Sequence, residues 1–347
     1  MPSLLMRWLV GTVYFIVGAF WSVIVVISFA WYVIFKKGVK GLLKKSPETA
    51  APKLALDKYE HDFVRVKSGM KFHCVHSGSR SNPLMLCLHG FPECWYSYHY
   101  IMDHFSENYH VVSFDMRGYG ESDSPKGVGQ YHLDYLATDA RDLIVALGYE
   151  KAVIISHDWG GAAGWKVPDY YPEVVDKLIV MNAPHAKGFQ NFTKDYPSQL
   201  LKSWYMFMYQ LPYLAEFLIS AYDYKVIQSF FRGRSFGIRN VSKQLSDSEL
   251  EMYKHTIRKN LTCPVNYYRA ANPIYSGLNL KPKSAKITVP VLVIWGKKDT
   301  ALDYRCVPYF EKHCTNFTAV YIEGASHWVA IDEPEKVHEA IEQFLKS

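Results

Sequence analysis

The chain opens with an uninterrupted apolar run. From Trp8 to Phe35 no side chain is charged for 28 positions, more than the roughly 20 apolar residues a helix needs to cross a bilayer core of about 30 Å. Trp8, Trp31 and Tyr32 stand near its ends, and Lys36, Lys37, Lys40, Lys44 and Lys45 follow it, the pattern of a membrane helix with its two interfaces. A secretory signal has a shorter apolar region, about 7–15 residues, and a small-residue cleavage site. The run therefore predicts a retained single-span anchor rather than a buried core helix.

Beyond a polar linker, KKSPETAAPK at 44–53, the pattern changes. LMLCL (84–88), VVSF (111–114), AVIIS (152–156), LIVMN (178–182), VLVIW (291–295) and TAVYI (318–322) read as buried strands, with helix-like stretches between most of them. Near-continuous apolar runs alternating with helices argue for a mostly parallel sheet covered on both faces, an α/β fold. Between Pro184 and about Lys286 the strand rhythm stops. The chain becomes aromatic and helical, as in SWYMFMYQLPYLAEFLISAYDY (203–224), which predicts a helical lid inserted between strands. The expected division is an anchor and basic linker (1–50), a first core segment (51–185), a lid (186–285) and a second core segment (286–347).

Charge separates the anchor from the rest. Arg7 and the five lysines precede the first acid, Glu48, and account for the formal charge of +6; the remaining 33 basic residues balance 33 acidic ones. That distribution points to anionic lipid beside the anchor and gives no support to nucleic-acid binding. Lysines on the C-terminal flank place the folded part in the cytosol. Four N-x-S/T triplets, beginning at Asn191, Asn240, Asn260 and Asn316, would matter only in a lumen. The six cysteines (74, 87, 94, 263, 306, 314) form no zinc-type pairs, which favours reduced, partly buried thiols. Nothing in the sequence specifies an oligomeric state.

The turns at the strand ends carry the candidate chemistry. AVIISHDWGG runs from strand to turn to helix, and Ser156, Gly160 and Gly161 permit a tight elbow that presents Asp158 at the carboxyl edge of the sheet. Alone, Asp158 reads equally well as a helix N-cap. CLHGFPE (87–93) follows the first apolar strand, where the Phe91 N–H could join that of Trp159 as an oxyanion hole. DMRGYGES (115–122) suggests a structural pairing of Arg117 with Asp115. Asp299 ends VLVIWGKKD, and His327 ends IEGASHW. Asp303 is a second candidate acid, whereas Asn182, at the end of LIVMN, cannot carry the charge. His157 and Asp158 together offer no metal site, because neighbours in an elbow diverge and no ligand spacing supports one. No organic cofactor is called for. Pro168 should kink or shorten the helix after the elbow.

The order nucleophile, acid, histidine, with HGFPE, RGYGES, SHDWGG and SHW, resembles the epoxide hydrolases of the α/β-hydrolase superfamily, and in particular its membrane-anchored members, from about residue 57 to the C-terminus. The resemblance implies an α/β-hydrolase fold and two lid tyrosines that grip the epoxide oxygen. The match falls on Tyr205, aligned on the Gln-x-Pro that follows, and on Tyr268, just before Arg269, with Tyr209, Tyr213 and Tyr267 as alternatives. A carboxylate is already ionised at neutral pH and can attack saturated carbon, so an alkyl ester on Asp158 is expected. It would be hydrolysed by water that His327 and Asp299 activate. The aromatic lid suggests a lipophilic epoxide, such as an epoxidised fatty acid or terpenoid, and the anchor a membrane, expected to be the endoplasmic reticulum. A haloalkane dehalogenase using Trp159 as halide donor, and an idle lipid-binding protein, are the competing readings.

Overall fold

The protein is described from a computed structural model over residues 4–43 and 58–347; the linker predicted at 44–53 lies outside the described residues. Eight strands form one sheet in the order β1-β2-β4-β3-β5-β6-β7-β8. They are β1 (Glu60–Arg65), β2 (Lys71–Ser77), β3 (Leu84–Leu88), β4 (His110–Phe114), β5 (Ala152–His157), β6 (Val175–Met181), β7 (Val291–Gly296) and β8 (Phe317–Ile322). The pairs from β4 to β8 are parallel, while β2 is antiparallel to both β1 and β4. Every residue of β3, β4, β5 and β7 is buried, because helices cover both faces of the parallel strands and leave neither open to solvent.

The hairpin β1–β2 is an addition to the expected strands. β1 reads EHDFVR and is the edge of the sheet, so it lacks the apolar run that marked the others. Its turn is closed by the Gly69 N–H donating to the Val66 carbonyl at 2.9 Å, with Gly69 at φ 89°.

The helices are α1 (Leu4–Tyr32), α2 (His99–Phe105), α3 (Leu133–Ala146), α4 (Asp158–Tyr170), α5 (Ala186–Asp195), α6 (Ser198–Lys202), α7 (Trp204–Met208), α8 (Leu214–Arg232), α9 (Asp247–Lys259), α10 (Thr262–Ala270), α11 (Pro308–Glu311), α12 (Val329–Asp332) and α13 (Pro334–Lys346). α3 and α4 pack together beside β3, while α2, α12 and α13 form a second group against β4 and β7. α4 comes close to the sheet because a Cβ at Gly160 would collide with the Leu88 carbonyl, so only glycine fits. Pro168 leaves α4 continuous but sits two residues from its end, so the helix stops within a turn of the hydrogen bond that the proline removes. Between β6 and β7 the chain leaves the sheet for α5–α10.

Arg117 does not pair with Asp115 as expected. Its guanidinium forks onto Asp139 of α3 at 2.5 and 2.6 Å, a bidentate pair, while the Asp115 oxygens are taken by other donors, among them the Trp95 and Glu121 N–H groups. Asp115 instead accepts from His73 at 2.9 Å.

Candidate active site

The end of β5 delivers Asp158. As the first residue of α4 it has φ 48°, a left-handed conformation costly for a residue with a Cβ. A Cβ on Gly90 would overlap the Asp158 side chain, so the glycine of HGFPE is what lets the two loops approach. The Phe91 N–H then donates to Asp158 Oδ1 at 2.8 Å. Asp158 Oδ2 lies 3.5 Å from His327 Nε2, and His327 Nδ1 lies 2.8 Å from Asp299 Oδ2. Asp299 Oδ1 accepts from the N–H groups of Ala301 and Leu302 at 2.8 and 3.0 Å. The fallback acid, Asp303, is bound instead to Arg305 and Lys202 at 2.7 and 3.0 Å.

Two supports escaped the sequence reading. Asn182, set aside for lacking a charge, donates through Nδ2 to Asp299 Oδ2 at 2.8 Å and accepts from Gly296 N–H at 3.1 Å. The second is a buried pair behind the nucleophile. His157 Nδ1 meets Glu93 Oε2 at 2.7 Å, while its Nε2 meets the His327 carbonyl at 2.8 Å. That carbonyl can only accept, so Nε2 carries a proton. Glu93 also accepts from Gly90 N–H at 2.7 Å. His157 and Asp158 take different partners, His157 meeting Glu93 and the His327 carbonyl and Asp158 the Phe91 N–H and the His327 ring. Glu93 and His157 are both buried, and a buried carboxylate and imidazole each need a partner, but nothing local in the sequence says which.

Burial works against ionising Asp158, but the hydrogen bond and charge of His327, the His157 charge and the Phe91 N–H outweigh it and hold the carboxyl below its usual range. Asp299 is lowered in the same way, with burial opposed chiefly by His327. Burial would likewise depress His327, yet Asp299 and Asp158 on either side raise it well above an ordinary imidazole. The two carboxylates therefore both favour the protonated form of the imidazole that lies between them.

A cavity of about 460 Å³ opens above this group, lined by Asp158, His327, Tyr205, Tyr209 and Tyr268 together with mostly apolar side chains, within the roughly 300–1,000 Å³ usual for small-molecule sites. The Tyr205 and Tyr268 rings stand 6.1 Å apart. Burial, reinforced by the Asp158 charge, raises both phenols well above their ordinary value, so both keep their protons. Tyr267 points elsewhere and donates to the Arg117 carbonyl at 2.9 Å, and Tyr213 is 86% exposed. The Trp159 ring packs 4.9 Å from that of Tyr268 and does not line the cavity.

The alpha/beta hydrolase fold family matches residues 83–334. The chain is similar to epoxide hydrolase 3 of Xenopus tropicalis, at 39% identity over 90% of this chain and 86% of that protein. It is also similar to epoxide hydrolase 4 of Homo sapiens, at 42% identity over 82% and 79%. Among solved structures, a mutant epoxide hydrolase from Bacillus megaterium, complexed with its naphthyloxy-propane-diol product, superposes with a TM-score of 0.74 at 26% identity, covering 82% of this chain and 100% of that one. An epoxide hydrolase from Vigna radiata gives 0.71 at 28% identity over 84% and 99%.

Proposed function

The chain belongs to the epoxide hydrolases of the α/β-hydrolase family, and on that premise we propose that it converts a lipophilic epoxide to a vicinal diol through an alkyl ester on Asp158. Asp158 Oδ2 attacks a ring carbon, the C–O bond of the ring breaks, and the oxygen takes a proton from Tyr205 or Tyr268. His327 then accepts a proton from water as that water adds to the ester carbonyl. The oxyanion forms on Oδ1, where the Phe91 N–H already points. The Trp159 N–H, in the first turn of α4, is one of the helix-terminal donors without an intrahelical acceptor, and serves as the second. On collapse the bond between the carbonyl carbon and the diol oxygen breaks, the hydroxyl proton of the tetrahedral centre passes to the leaving alkoxide to give the diol and the Asp158 carboxylate, and the proton on His327 returns to the tyrosinate through solvent.

The observation that carries this reading is one carboxylate held between an N–H donor on Oδ1 and His327 on Oδ2, beneath two protonated phenols in one cavity. Esterification also supplies the switch the second step needs. Once Asp158 is neutral, one of the two anions that raise His327 is gone, and the imidazole falls toward the range in which it acts as a base. The dehalogenase alternative has less support, since Trp159 lies outside the cavity lining. The helix α1 is long and apolar enough to cross a membrane. We read it as an anchor in the endoplasmic reticulum, with the folded part in the cytosol. Incubating the purified full chain with lipophilic epoxides should yield diol by mass spectrometry, and Asp158→Ala should yield none. Halide release from haloalkanes without any diol would overturn the assignment.

A further inference from the structure

We infer that the N-terminal helix is a wall of the substrate pocket: Val25 and Phe29 of α1 close the outer end of a slot between α7 and α8, where they contact the distal part of a long apolar substrate arriving from lipid. The inference rests on the proposed reaction only for what happens at Asp158.

The cavity above Asp158 extends between α7 and α8 as far as Val25, Phe29 and Tyr32. α1 lies across both lid helices. Tyr14 and Trp21 meet Phe207 and Trp204 of α7, with ring centroids 5.3 and 6.1 Å apart, and Gly18 seats against the Phe207 carbonyl, where a Cβ would not fit. Phe29 meets Phe217 of α8 at 5.8 Å. Val25 stands one turn from Trp21 and one from Phe29 on the same helix face, so it lies over the gap between the two lid helices. α1 therefore bridges the slot.

The same segment fixes the shape of the opposite wall. α8 is broken at Tyr222, Asp223 and Tyr224, which hold φ of 52°, 58° and 60° with no glycine among them; such strain persists only where surrounding contacts impose it. Ala221 and Tyr222 line the cavity. The Tyr222 N–H donates to the Leu42 carbonyl at 3.1 Å, its hydroxyl donates to the Gly38 carbonyl at 2.8 Å, and its ring lies 6.0 Å from Tyr32. The far face of α1, with Ile16, Phe20, Val23 and Ile27, is apolar and exposed, a surface that calls for lipid. The mouth beside it is consequently fed from the membrane.

The test uses the full chain in liposomes, with an eighteen-carbon internal epoxide dissolved in the bilayer and styrene oxide offered from water. Val25→Phe should lower kcat/KM for the long epoxide about tenfold or more, the scale of a misfitted apolar pocket, and leave styrene oxide within about twofold. A second readout needs no turnover. In detergent, 9,10-dibromooctadecanol should quench the tryptophans lining the cavity, and Val25→Phe should weaken its binding by a similar factor. Equal losses for both epoxides, or unchanged turnover and binding, would overturn the inference. If the parent hydrolysed neither epoxide while its binding still weakened in Val25→Phe, the reaction would be wrong and the pocket wall would stand.

Discussion

At the scale of residues, the decisive feature is that His327 sits between two anions and one of them is consumed in the reaction. His327→Gln keeps a side chain of similar length but cannot accept the proton, so ring opening should proceed and ester hydrolysis should stop. Intact-protein mass spectrometry should find the chain heavier by one whole epoxide, with turnover lowered about 10³-fold or more; an unmodified chain would exclude the ester. In the parent protein the two steps should respond differently to pH. Asp158 is depressed below the usual carboxylate range, so ring opening should hold down to about pH 5, whereas hydrolysis needs neutral His327 and should slow as pH falls. The ester should therefore accumulate at about pH 5 relative to about pH 8 in rapid-quench samples. The stability linked to these groups has opposite signs. Asp158 and Asp299 contribute fully above the unfolded carboxylate range and lose that contribution as pH falls through their lowered values. His327 contributes below about 6.5 and loses its contribution as pH rises through its elevated one. Asp158, Asp299 and His327 were legible because each ends an apolar strand in the expected chain order. Glu93, His157 and Asn182 were not, since their roles exist only through partners remote in sequence, such as the 117 positions between Asn182 and Asp299.

At the scale of elements, the lid brings the phenols to the sheet. Tyr205 comes from α7 and Tyr268 from α10, and Tyr209, one turn beyond Tyr205, packs its ring 4.7 Å from that of Tyr268. If Tyr205 and Tyr268 share proton donation, Tyr205→Phe or Tyr268→Phe should slow single-turnover ring opening about 10-fold or more. The double variant should approach the roughly 10²–10⁴-fold expected of a lost general acid. Tyr209→Phe, which removes a hydroxyl from the same cluster, should stay within about twofold; an equal loss there would mean that the lid tyrosines act by packing. The buried parallel strands were readable because burial on both faces leaves a continuous apolar run. The β1–β2 hairpin was not, because an edge strand needs no such run, and the break in α8 was not, because AYDY contains neither glycine nor proline. That break is imposed by contacts with Gly38 and Leu42, far away in sequence.

At the scale of the whole molecule, length and hydropathy allow α1 to span a bilayer, and its packing adds a constraint that neither measures. Its 29 residues reach about 43 Å, yet both ends are tied to the same lid. Near the start, Arg7 donates to the Pro273 carbonyl and to Ser276 Oγ at 2.8 and 2.6 Å, and just beyond the far end the Gly38 and Leu42 carbonyls hold Tyr222. An upright helix would draw the lid into hydrocarbon, including the Arg269–Glu216 pair, and a single charge at the bilayer centre costs about 2.5–3.5 kcal/mol or more. A helix lying along the membrane surface with its exposed apolar face down avoids that cost and keeps Arg7 and the lysines at the headgroups. Tags at both termini should then be cleaved by protease added outside sealed microsomes. Asn191, Asn240, Asn260 and Asn316 should carry no glycan, so endoglycosidase should leave the mass unchanged, in keeping with six buried free thiols that suit a reducing compartment. An N-terminal tag protected while the C-terminal one is cleaved would restore the upright span and require the lid to leave the helix. A glycan on any of the four asparagines would instead place the catalytic part in the lumen.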